Sequence, residues 1–91
     1  MTAEISAEFS QAAEDVKKLS ERPDNLTMLR LYALYKQGSQ GNCTGARPGM
    51  MDFVGRAKYD AWKALEGTSP DEAMKQYIEL VRSLKDEDKK K

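Results

Sequence analysis

The run from Leu26 to Tyr35 constrains the fold more than any other part of this chain. Leu26, Met28, Leu29, Leu31, Tyr32, Ala33, Leu34 and Tyr35 make it apolar nearly all round at helical spacing. A helix of that kind is either fully buried or lines something apolar on a second side. The chain has 91 residues, which is below the usual range for two cores and implies a single domain over 1–91. In so small a domain the second option carries weight.

The other segments share the helical period. In the first, about 6–19, Phe9, Ala12, Ala13, Val16 and Leu19 recur at threes and fours. Its acids Glu8, Glu14 and Asp15 come early and Lys17 and Lys18 come last, the order a helix dipole favours. Pro23 interrupts the chain. Asp24 is then a plausible N-cap for a second helix over about 24–37, which leaves through a flexible exit, Gly38–Gly41. Residues 38–51 read as a long loop, a kind of segment that is often functional, with a turn at Arg47-Pro48-Gly49. A third helix over about 51–66 has Asp52 as its cap and Phe53, Ala57, Ala61, Ala64 and Leu65 as its inward stripe. Trp62 is its anchor, and Phe53 and Trp62 are both assigned to packing. Gly55 near its start points to close backbone approach or tight packing, and Gly67 is a natural stop.

The fourth helix, about 70–86, opens on a capping box, Ser69-Pro70-Asp71-Glu72. Ala73, Met74, Tyr77, Ile78, Val81 and Leu84 follow at helical period, with Val81 and Leu84 assigned to packing. Lys85–Lys91 reads as a solvated, frayed tail. There is no repeat and no strand pattern, so the chain is all-α with four helices.

Composition removes several functions. Acids and bases balance at 15 each, without the basic excess that marks a nucleic-acid partner. No apolar run approaches the length of a membrane span, and Met1–Ser6 lacks the basic start and apolar core of a secretion signal. Histidine is absent and Cys43 is the single cysteine. That excludes an imidazole base, a Ser-His or Cys-His couple and a multi-thiolate zinc site. No dense acidic loop offers a calcium site. A stapleless domain with one thiol is expected in a reducing compartment, most simply the cytoplasm. Cys43 itself reads as an incidental loop thiol.

Residues four apart share a helix face, so Met28, Tyr32 and Lys36 form a stripe from apolar through phenolic to cationic. Such a stripe suits a ligand with a hydrocarbon end and an anionic end. Taken alone, however, Tyr32, Tyr35, Lys36 and Lys58 would more often be ordinary core or solvated residues, and Met28 and Leu29 would be core.

A resemblance shifts that balance. Tyr35-Lys36-Gln37, Arg47-Pro48-Gly49-Met50, Asp52-Phe53, Ala57-Lys58-Tyr59-Asp60-Ala61-Trp62, Leu65-Glu66-Gly67 and Ala73-Met74-Lys75-Gln76-Tyr77-Ile78 are similar to the acyl-CoA-binding protein family in joint order and spacing. Glu8-Phe9 and Ala12-Ala13-Glu14 extend the match to nearly the whole chain. The resemblance implies a four-helix up-down-down-up bundle that binds, buffers and transports medium- to long-chain acyl-CoA without catalysis. It implies no cofactor, a monomer, and at most transient contact with membranes or acyl-CoA-using enzymes.

Carried onto this chain, the family's site for the coenzyme's 3′-phosphate and adenine falls on Tyr32, Tyr35, Lys36, Lys58 and Tyr77, with Lys17 as the basic residue late in the first helix. Met28 and Leu29 match the acyl-chain groove, with Phe9, Ala13 and Asn25 on the same wall. Val54 stands where many members carry lysine, Arg56 replaces a lysine, and Tyr59 replaces a tryptophan. Those departures bear on affinity more than on ligand class. The competing functions are a helical protein-interaction module, using the mixed surface of the second and third segments, and a small thioester-acting enzyme.

Overall fold

The structure, a computed structural model, describes residues 3–89. Four helices follow one another: α1 (Ala3–Val16), α2 (Asn25–Gln40), α3 (Phe53–Lys63) and α4 (Pro70–Lys89). No strand occurs among the described residues. Three of the starts are capped by the residues the sequence offers. Asp24 accepts from the Thr27 amide at 2.7 Å and Asp52 from the Gly55 amide at 2.9 Å. Ser69 Oγ accepts from the Glu72 amide at 3.1 Å, half of the capping box, while the Glu72 carboxylate turns to accept from Gln76 at 3.0 Å. Each cap satisfies an amide that the first turn of a helix leaves without a partner. A side chain on Gly55 would collide with the capping carboxylate of Asp52, which is the close approach that glycine implies.

The helix ends depart from the sequence reading for local reasons. α1 stops at Val16, where Lys17 and Lys18 bond back three residues, to Glu14 O and Asp15 O, in a tightened last turn. α2 runs three residues further than expected. Gly38 stays helical because a Cβ there would lie 3.0 Å from Met74 Cγ and 3.2 Å from Phe9 Cζ, so its bareness lets α2 close on α1 and α4. The helix ends at Gly41, whose φ of 85° is open to glycine. The flexible exit is therefore a packed final turn.

α3 is shorter than expected at both ends. Its first residue, Phe53, is largely exposed rather than packed, and so is Ala64. The cause is that α3 packs only against α2, and its buried contacts lie in its second half around Trp62. α4 continues through Lys89, and the expected frayed tail is docked as far as it is described. Lys85 Nζ sits 2.9 Å from Asp15, and Ser20 Oγ donates to Asp88 at 2.6 Å. Lys90 and Lys91 lie outside the described residues.

The helix directions follow from pairs of contacts. Phe9 meets Tyr77 and Asp15 meets Lys85, so α1 and α4 run the same way. Gly38 faces Met74, near the start of α4, whereas Thr27 lies by Leu84, so α2 opposes α4. Tyr32 faces Lys58 and Lys36 faces Trp62, so α3 runs with α2. The order is up-down-down-up, as the resemblance implied.

One core of Phe9, Ala12, Leu31, Leu34, Ala73, Met74, Tyr77 and Val81 joins α1, α2 and α4, with Leu84 half-buried against it. A smaller cluster of Ala33, Cys43 and Trp62 fastens α3 and the preceding loop to another face of α2. Cys43 is thus a buried packing residue rather than an incidental loop thiol. α2 is the central helix, which is why its sequence is apolar nearly all round.

Candidate ligand groove

α4 packs on both α1 and α2, but the backbones of α1 and α2 do not pack on each other. The space between them is a groove of about 850 Å³, within the size range of small-molecule sites. Phe9, Ala13 and Val16 line it from α1, Lys17 from the turn that follows, Met28, Leu31, Tyr32 and Tyr35 from α2, and Tyr77 from α4. Leu19, Glu21, Arg22 and Pro23 of the connecting segment contribute the far wall.

Three rings meet in the groove. Phe9 stacks on Tyr35 at 5.3 Å between centroids and meets Tyr77 edge-on at 5.2 Å, while Tyr35 and Tyr77 lie 5.9 Å apart. Those separations and the edge-on and stacked geometries are the favourable ones for aromatic pairs. Burial pushes the Tyr77 phenol above its ordinary value of 10.0, and neighbouring Tyr35 adds to the rise. The phenol stays protonated at neutral pH, as an ordinary tyrosine does, and can donate a hydrogen bond.

Two cations stand beside this groove. Lys36 Nζ lies 5.2 Å from the Trp62 ring centre and 5.9 Å from that of Tyr32; Lys58 Nζ lies 5.3 Å from the Tyr32 ring centre. Aromatic faces hold an ammonium without neutralising it, and neither lysine pairs with a carboxylate among the described residues. Lys17, by contrast, reaches Glu14 at 3.4 Å in an exposed pair.

The loop before α3 is fastened where the sequence reading had it only as long. Trp62 Nε1 donates to Gly41 O at 2.9 Å, and Tyr59 Oη donates to Gly45 O at 3.2 Å. Arg47 grips Asp60 with two bonds, at 3.0 and 2.8 Å. That fork holds the Asp60 carboxyl below its ordinary value and raises the Arg47 guanidinium. Gln37, fully buried, donates to Thr68 O at 2.7 Å and to Asn42 Oδ1 at 2.9 Å. Asn42 Oδ1 also accepts from the Gly67 amide. The end of α2 that carries Lys36 is thereby tied to the turn before α4.

Of the residues singled out from the sequence, Phe9, Ala13, Lys17, Met28, Tyr32, Tyr35 and Tyr77 line the groove. Lys36 and Lys58 flank it at Tyr32. Leu29 is half-buried off the groove, one residue and about 100° round the helix from Met28. Asn25, the first residue of α2, is exposed and also off it. Sequence reasoning missed Leu31 as floor and Leu19, Glu21, Arg22 and Pro23 as wall, having read Pro23 only as a break. It also missed Gln37, whose signal was its place four residues after Ala33, on a buried face. Among the described residues no cluster of side chains could hold a metal ion, and no helix is long and apolar enough to cross a membrane.

An apolar groove between two helices with unneutralised lysines beside it marks a small helical binding protein. A family model described as acyl CoA binding protein matches residues 6–81. The chain is 51% identical over 80 residues to an acyl-CoA-binding protein of Brassica napus, covering 88% of this chain and 87% of that one. The crystal structure of Oryza sativa acyl-CoA-binding protein 2 superposes with a TM-score of 0.87 at 44% identity, covering 91% of this chain and 90% of that one. The chain belongs to the acyl-CoA-binding protein family. It is also 48% identical over 77 residues to enoyl-CoA delta isomerase 2 of Rattus norvegicus, but that match covers 85% of this chain and 20% of the isomerase. The kinship with that enzyme is confined to a short part of it.

Proposed function

We propose that this chain, as a single domain, binds, buffers and carries medium- to long-chain acyl-CoA esters without transforming them. The observation that carries this reading is the placement of Lys36 and Lys58 at 5.9 and 5.3 Å from the Tyr32 ring centre, one helical turn from Met28 in the apolar groove. An acyl-CoA is a hydrocarbon joined through a pantetheine arm to a polyanionic nucleotide, so it needs both halves of that arrangement. The acyl chain takes the groove. Lys36, Lys58 and the phenols of Tyr32, Tyr35 and Tyr77 take the phosphates and adenine, with Lys17 opposite.

The magnitudes support tight binding. Burying methylenes is worth about 0.8 kcal/mol each, so a palmitoyl chain offers on the order of 10 kcal/mol before ordering costs. A charge-assisted hydrogen bond to phosphate adds roughly 1.5–3 kcal/mol. After those costs, nanomolar affinity, about −12 kcal/mol, remains within reach. Chain length then governs affinity, and the nucleotide selects the CoA ester over the free acid. The non-catalytic part of the reading rests on the residue types present: without histidine, and with the one thiol buried, no activated nucleophile faces the groove. The cytoplasm is the setting that the single-thiol composition favours, and a monomer is what the resemblance to the family implies.

Isothermal titration with palmitoyl-CoA, palmitate and free CoA tests the proposal. Palmitoyl-CoA is expected to bind far more tightly than either half alone. Equal affinity for palmitate and its CoA ester would contradict it, as would release of free CoA with turnover.

A further inference from the structure

The segment joining α1 to α2 separates two cavities. Leu19, Glu21, Arg22 and Pro23 wall the groove on one side and a second cavity, of about 390 Å³, on the other. Within that wall Leu19 and Pro23 are half-buried while Glu21 and Arg22 are exposed, so the apolar pair forms its inner part and the charged pair its rim. The two spaces differ in chemistry. On the groove side the wall is continued by Val16, Met28 and Leu31. On the far side Leu80 and Leu84 give a small apolar floor, but the carboxyls of Asp24, Glu87 and Asp88 line the same space.

The wall is fastened in place. Ser20 donates to Asp88, near the end of α4, through its hydroxyl at 2.6 Å and its amide at 3.3 Å, one bond to each carboxylate oxygen. Hydrogen bonds to a carboxylate are the stronger kind. The segment begins in the tightened turn at Lys17 and Lys18. It ends in Pro23, whose ring fixes φ, and Asp24, which caps α2. Lys85 ties Asp15, in the last turn of α1, to the same stretch of α4.

We propose that this pinned segment is the end stop of the acyl-chain groove and sets the longest chain from which the protein gains affinity. Leu19 and Pro23 are the stop, and the two bonds from Ser20 to Asp88 hold it. The inference deepens the carrier reading and rests on it for the direction of the chain. With the head at Lys36 and Lys58, the chain starts near Tyr32 and runs past Met28. That step is one helical turn, about 5.4 Å, and a palmitoyl chain is several times longer, so its outer carbons come up against Leu19 and Pro23. Methylenes short of the wall leave water for an apolar surface. Those beyond it stay in solvent or enter a space lined with carboxylates, which would have to give up water to admit them.

The test is isothermal titration of the full chain with saturated acyl-CoA esters from octanoyl to docosanoyl. Wild-type affinity is expected to rise about fourfold per methylene and then to level off at one length. Leu19→Ala is expected to move that break to longer chains and Leu19→Trp to shorter ones, while esters too short to reach the wall bind all three proteins alike. Asp88→Ala removes the acceptor of both Ser20 bonds, so esters beyond the wild-type break are expected to gain affinity and octanoyl-CoA to bind as before. Neither Leu19 nor Asp88 belongs to the shared core, so these variants are expected to keep the wild-type fold. A wild type whose affinity climbs through the whole series without a break would overturn the proposal and leave the carrier function intact. Leu19 variants that keep the wild-type break would overturn it as well, and so would an equal loss at every length, which would make Leu19 a purely structural residue. An unchanged break in Asp88→Ala would overturn the role of the Ser20 bonds. A wild type that binds none of the esters would remove the carrier function and the stop together.

Discussion

The two sides of α2 are held by different physics. Towards α1 and α4 it packs apolar on apolar: Leu31 and Leu34 meet Phe9, Ala73, Met74, Tyr77 and Val81, and bare Gly38 admits Met74 and Phe9. Towards α3 the apolar cluster is smaller, and α3 is further tied to the cap of α2 and the loop between them by directed bonds: Trp62 to Gly41, Tyr59 to Gly45, Arg47 to Asp60. The first side supplies stability and leaves a groove where α1 stands off. The second supplies placement, because Trp62 and Tyr32 seat Lys36 and Lys58 by their ring faces. Apolar burial is non-directional, so it can support a bundle, whereas setting two ammonium groups beside a groove takes oriented partners.

The largest break in this comparison should come from Leu34→Ala. Leu34 is 1% exposed in the shared core, and the loss is expected to be about 2–5 kcal/mol. Urea unfolding followed by far-ultraviolet circular dichroism and by Trp62 fluorescence should shift together. If only one signal moved, the two sides would not share a core through α2.

Trp62→Phe comes next. It keeps most of the apolar ring but removes the donor to Gly41 O, for an expected loss of about 1–2 kcal/mol. Amide exchange should then quicken in α3 and the preceding loop, with α1 and α4 little changed. Palmitoyl-CoA affinity should fall about threefold as Lys36 exchanges the indole face for a weaker phenyl one. Uniform quickening across all four helices would show that α3 is not separately fastened.

The smallest effect belongs to the exposed clasp. The Asp60 carboxyl is held below its ordinary 3.8, chiefly by hydrogen bonding to Arg47. Its contribution is therefore present above that value and lost as the pH falls through the lowered one. Asp60→Asn should cost α3 a small, constant amount of stability at neutral pH and nothing once the pH lies below the lowered value, so the wild-type slope across that acid window disappears. An exposed pair of this kind gives little in water. A large neutral-pH loss would mean the clasp carries more of the attachment than Trp62.

Much of this was legible in the chain. Period and caps located all four helices, since Asp24, Asp52 and Ser69 act through local geometry that any environment preserves. The apolar surround of Leu26–Tyr35 announced a helix covered on more than one side. What sequence could not carry was set by distant partners. Gly38 reads as a breaker until Met74 and Phe9 are known to need its space. Phe53 reads as core until α3 is seen to have no neighbour beyond α2. Asp88 reads as tail until Ser20 is found to meet it. In the site, the groove-facing stripe Met28-Tyr32 followed from helical spacing. Leu29 and Asn25 came from the resemblance and fall off the groove.

The most direct measurement titrates wild type, Lys36→Ala and Lys58→Ala with palmitoyl-CoA and with its 3′-dephospho analogue. With the head held by these lysines and the chain by the groove, each substitution should weaken palmitoyl-CoA about tenfold or more, and much of that loss should vanish with the dephospho ligand. Variants that bind both ligands as the wild type does would contradict the division of the site into an apolar groove and a cationic grip.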